Sequence, residues 1–75
     1  MIAYILIEAE HGKEGEIFDK VSRIKQVESA HIIFGEWDII LKVSVESSEE
    51  LAAIIMDKLR KLSGVRLTSS LIVAR

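Results

Sequence analysis

Between Ile2 and Glu8 nearly every side chain is β-branched or apolar, a run of strand length and too short for a helix. Its two alternating sets, Ala3-Ile5-Ile7 and Ile2-Tyr4-Leu6, are both apolar, so the pattern predicts a strand covered on both faces. His11-Gly12-Lys13 interrupts it. Ile17, Val21 and Ile24 then recur at helical spacing, with Phe18 beside them and charges opposite, which predicts an amphipathic helix over about residues 13 to 25. A second strand is expected from about Glu28 to Phe34. After the short Gly35-Glu36-Trp37 connection, a third follows with Ile39, Leu41, Val43 and Val45 on one face, so the two form a hairpin.

Ser47-Ser48-Glu49-Glu50 has the form of a capping box and opens a second helix. Leu51, Ile54, Ile55, Leu59 and Leu62 make its apolar stripe, Lys58, Arg60 and Lys61 complement its C-terminal dipole, and Gly64 suits the left-handed position past its end near Ser63. A last strand, Val65 to Ala74, is expected to set Val65, Leu67, Leu71 and Val73 on one face and Arg66, Thr68, Ser70 and Ile72 on the other. The order βαββαβ closes as a ferredoxin-like α+β fold, a four-stranded antiparallel sheet with two helices on one face. No part of the chain is left to cover the other face, where Ile40 and Ile72 are expected to point. A second copy's sheet is therefore the expected cover, and the chain a homo-oligomer, at least a dimer.

Composition sharpens this. Residues 1–75 suffice for one domain, with a core that leaves a thin stability margin. Without cysteine, neither disulfides nor thiolate metal sites can add to it, which leaves oligomerisation. The net charge of −2 and the lack of a basic, aromatic-interleaved cluster argue against independent nucleic-acid binding. No apolar run approaches the roughly 20 residues that span a bilayer, and no basic region precedes the first apolar segment, so a cytoplasmic location without membrane contact is expected. His11 and His31, the only histidines, lack metal-ligand spacing. With no Gly-x-Ser-x-Gly elbow, cysteine or paired catalytic carboxylates, the expectation is a binding module with neither catalytic residues nor a cofactor.

Two segments carry a family likeness. The hairpin reads Phe34-Gly35-Glu36-Trp37-Asp38-Ile39-Ile40-Leu41-Lys42-Val43, and the second helix ends Leu59-Arg60-Lys61-Leu62-Ser63-Gly64-Val65 before Thr68-Ser69-Ser70. In this βαββαβ frame the sequence resembles the regulation-of-amino-acid-metabolism (RAM) domain of the Lrp/AsnC transcription factors, over essentially the whole chain. The resemblance implies a module that dimerises through its sheet, assembles dimers into rings, commonly octamers, and binds a free amino acid between dimers. Since residue 1 already opens the first strand, a stand-alone RAM domain without the family's helix-turn-helix is expected. Its role would be to sense a small amino acid effector or to modulate full-length Lrp/AsnC regulators. An ACT domain shares the element order and the amino-acid binding, but only His11-Gly12 matches its glycine loop. A dimeric α+β-barrel monooxygenase would need a polar interior where the helix-facing positions here are aliphatic.

The candidate ligand-binding residues are Gly35, Glu36, Trp37 and Asp38 in the turn and Thr68, Ser69 and Ser70 in the last strand. A tight connection exposes N–H groups, glycine allows close approach to them, and a carboxylate such as Asp38 suits the ammonium end of a zwitterion. Two readings stand open: Gly35 permits a positive φ and Asp38 caps its own turn, or both serve a ligand.

Overall fold

The strand β1, Ile2–Ala9, lies inside the sheet because both of its faces are apolar. In the computed structural model, which describes residues 1–75, it is followed by α1 (Glu14–Val21), β2 (Val27–Ile32), β3 (Ile39–Ser44), α2 (Ser48–Ala53, continued by a π-helical segment, Ile54–Leu59) and β4 (Val65–Ile72). The strands lie in the order β2-β3-β1-β4, all antiparallel, with both crossovers carrying a helix; the ferredoxin-like expectation holds. No helix is long and apolar enough to cross a membrane.

The inward set of β1 (Ala3, Ile5, Ile7) and that of β3 (Ile39, Leu41, Val43) are wholly buried against Ile17 and Val21 of α1 and Leu51, Ile54 and Leu59 of the second helix. No polar side chain is buried with them. In the π-helical segment the hydrogen bonds span five residues, as in Arg60 N–H to Ile55 O at 2.9 Å, which brings Ile54 and Leu59 together onto the sheet and keeps Lys58 in solvent. The helix was expected to run to Ser63; it ends at Leu59 because the chain then closes through short turns, Leu62 N–H to Leu59 O and Val65 N–H to Leu62 O. For the same reason α1 stops at Val21 rather than residue 25, with Ile24 N–H bonded to Val21 O. β2 stops at Ile32, and Phe34 beyond it is fully exposed.

The facing expected for β4 needs correction. A bulge between Glu8 and Ala9 pairs Glu8 with Leu67 and Ala9 with Val65, so Arg66 is an inserted residue and the alternation reverses across it. Val65 packs on the core, whereas Leu67 and Leu71, opposite Glu8 and Tyr4, lie on the open face. Ile40, opposite Leu6, does point away from the helices, but Ile72 stands opposite the buried Ala3 and so lies on the helix side. It stays 53% exposed there because the helices leave that end of the outer strand uncovered. Tyr4, Leu6, Ile40, Leu67 and Leu71 thus share one open apolar face.

Candidate functional site

Asp38 is fixed by its main chain and its side chain together. Its N–H donates to Ile7 O at 2.9 Å, and its carbonyl accepts from Ile33 N–H at 2.8 Å, closing the connection between β2 and β3. β3 begins only at Ile39, opposite Ile7, so the N–H of Ala9, two residues farther along β1, meets no strand carbonyl on that side. Asp38 Oδ2 accepts it instead, at 2.8 Å. The other carboxylate oxygen makes no hydrogen bond within the chain. Gly35 has φ +143°, a conformation that side chains disfavour, yet a Cβ there would meet nothing within 4 Å. Its glycine answers to the backbone angle, and the space beside it is open. Gly35 and Glu36 are exposed, while Trp37 and Asp38 are half-buried.

The hydroxyl run divides between the two faces. Thr68, Ser69 and Ser70 stand opposite Ile7, Leu6 and Ile5, so Thr68 and Ser70 lie on the helix side and Ser69 on the open side. Asp38 and Thr68 flank β1 at the same end of the sheet, two strand spacings or roughly 10 Å apart. One protomer therefore gathers Gly35 to Asp38 in one place but does not bring the turn and the hydroxyls to a common ligand.

Beside Thr68 lies a cleft of about 270 Å³ lined by Arg60, Val65, Arg66, Leu67 and Thr68. The periodicity of the chain gives no sign of it, since it depends on the bulge and on the early end of the helix. A wider depression of about 830 Å³ at the opposite end of the sheet is lined mainly by charged and polar residues, among them Lys25, Gln26, Glu28 and Glu50. Some of its polar groups are paired, while Gln26 Oε1 is buried without a hydrogen-bond partner. Gln26 Nε2 donates to Glu50 Oε2 at 3.1 Å, Glu46 N–H donates to Glu50 Oε1 at 2.7 Å, and Lys42 Nζ lies 3.8 Å from Glu28. The Glu46 N–H, then the Gln26 amide, hold the Glu50 carboxyl below the ordinary glutamate range. No three His, Asp or Glu side chains gather as metal ligands.

Against known proteins, residues 2–75 match the family model of the Lrp/AsnC ligand binding domain. An HTH-type transcriptional regulator of Pyrococcus horikoshii is 39% identical over 57 residues, 76% of this chain and 38% of the regulator. The chain thus spans well under half of that relative's length. Among solved structures, a hypothetical protein of Pyrococcus horikoshii superposes with a TM-score of 0.90 at 33% identity, covering 100% of this chain and 92% of that one. A transcriptional regulator of Neisseria meningitidis, in complex with L-Met, gives a TM-score of 0.89 at 22% identity over 99% of this chain and 49% of its own, a likeness of fold alone. The relatives are regulators, and the matched unit is a ligand-binding domain rather than an enzyme. Its sequence, its sheet order and these matches agree: the chain belongs to the Lrp/AsnC ligand-binding domain family.

Proposed function

We propose that this domain is an amino-acid-sensing and oligomerising module. It takes a small apolar amino acid where the Gly35-Glu36-Trp37-Asp38 turn of one subunit meets Thr68 to Ser70 of a neighbour, and through its assembly it modulates Lrp/AsnC regulators. The observation that carries this reading is the exposed turn itself. It offers an open approach beside Gly35, a half-buried aromatic side chain and a carboxylate oxygen left over after Ala9 N–H is satisfied. Because the turn and the hydroxyls lie on either side of β1, a common ligand needs a second subunit, and the open apolar sheet face gives the chain a reason to acquire one. The L-Met complex of the Neisseria meningitidis regulator supports an apolar amino acid as the ligand class.

A thermal-shift screen with the twenty amino acids tests this directly. A ligand at about 100 times its dissociation constant adds roughly 2.7 kcal/mol to stability, so a true effector stands out from the rest. If all twenty leave the transition unmoved, the sensing role is wrong.

A further inference from the structure

β4 is an edge strand, paired only with β1, and the helices leave its helix side uncovered from Thr68 to Ile72. At its beginning, the inserted Arg66 and Arg60, the residue just past the end of the helix, line the 270 Å³ cleft. Two arginines line it, and no acidic residue does. Arg66 Nε is engaged by Glu8 at 3.4 Å, whereas Arg60 makes no ion pair. Thr68, half-buried in the cleft wall, has a hydroxyl with no hydrogen bond inside the chain. A guanidinium fork matches a carboxylate in two parallel hydrogen bonds, and Val65 and Leu67 supply an apolar wall beside it. The volume falls just short of the roughly 300 Å³ at which drug-sized sites begin, which limits the guest to a small molecule or one end of one. Complementing the helix dipole would not need an arginine at this place, since Lys58 and Lys61 flank it on the same turn.

We infer that Arg60 holds the carboxylate of the bound amino acid, beside the Thr68 hydroxyl of the same subunit, an assignment that rests on the effector reading above. The ammonium end then faces Asp38 of the neighbouring subunit, so the zwitterion bridges the two halves of the site, cation to Asp38 and anion to Arg60.

The test measures, by calorimetry, the amino acid that gives the largest thermal shift and its neutral carboxamide, against the wild type, Arg60→Gln and the control Lys58→Gln. Wild type is expected to bind the acid about tenfold to a hundredfold more tightly than the carboxamide. Arg60→Gln is expected to lose that preference while keeping its oligomeric mass, and Lys58→Gln to keep both. An Arg60→Gln variant that still prefers the acid as strongly as wild type overturns the assignment and leaves the effector reading standing. Butyrate, followed by NMR at the Arg60 and Thr68 resonances, separates the remaining cases. If no amino acid binds but butyrate gives saturable shifts that vanish in Arg60→Gln, the effector reading falls and the carboxylate site stands. If neither binds, both fall.

Discussion

Asp38 answers Ala9 N–H through one carboxylate oxygen, so removing the side chain and neutralising it are different experiments. Asp38→Ala leaves the N–H of Ala9, a residue only 8% exposed, without an acceptor, and is expected to lower stability in urea by about 1–3 kcal/mol. Asp38→Asn keeps an oxygen for that N–H and should stay within about 1 kcal/mol of wild type, while its lost charge weakens amino-acid binding about tenfold to a hundredfold. Should Asp38→Asn keep full affinity, the carboxylate belongs to the turn alone. Asp38 stands out in the sequence by its position after Gly-x-aromatic. Its partner does not, because Ala9 lies 29 residues away and the contact depends on where β3 begins. Glu50 makes a second prediction. Its folded-state pKa lies below that of an unfolded glutamate, so its contribution is fully present above the unfolded value, near 4.3, and fades as pH falls through the folded one. The urea midpoint should therefore drop between about pH 6 and pH 3, and Glu50→Gln should show a shallower drop over that window. A variant with the wild-type slope would remove Glu50 from the acid response.

At the scale of elements, the period of the apolar residues carried nearly all the information there was. The capping box is real, with Glu50 N–H donating to Ser47 Oγ at 3.1 Å, though the Glu50 carboxylate reaches back to Glu46 N–H rather than to the cap's own. Period two cannot register an inserted residue, so the bulge at Glu8/Ala9 and the reversal of β4 facing were hidden, and with them the Arg60–Thr68 cleft. The π-helical turns were hidden in the same way, because Leu51, Ile55 and Leu59 also satisfy an ordinary helical stripe. Gly64, where the second helix passes into β4, shows how tightly one junction is set. Its carbonyl accepts from Glu10 N–H at 2.7 Å, its φ is +94°, and a Cβ would lie 2.8 Å from Lys13 Cβ. Gly64→Ala combines backbone strain with a clash between two chain segments, whereas Gly35→Ala has the strain alone. Urea unfolding of the two should rank Gly64→Ala as clearly the more damaging, with a loss of about 1–3 kcal/mol or more. Equal losses would mean that the loop before α1 yields and the junction is not fixed.

The whole molecule has more apolar surface than its own core can use. Leu67 and Leu71 are 56% and 57% exposed, and with Tyr4, Leu6 and Ile40 they occupy the sheet face that no helix covers. Burying such a face against a copy of itself would stabilise a small domain without disulfides, because each buried Å² of apolar surface is worth roughly 25 cal/mol. The open apolar face followed from the doubly apolar first strand, although β4 contributes Leu67 and Leu71 to it rather than the Ile72 that simple alternation puts there. Ile40 sits between Leu6 of β1 and His31 of β2 in register, within that face and away from the helix-side core. A lysine there leaves the packing under the helices intact and sets a charge where a second sheet would have to close. Ile40→Lys is therefore expected to keep the wild-type far-ultraviolet circular dichroism while its mass by sedimentation equilibrium falls to that of the monomer. Loss of the spectrum together with the mass would mean that the fold needs its partner to exist, and a variant of unchanged mass would move the subunit contact off the sheet face altogether.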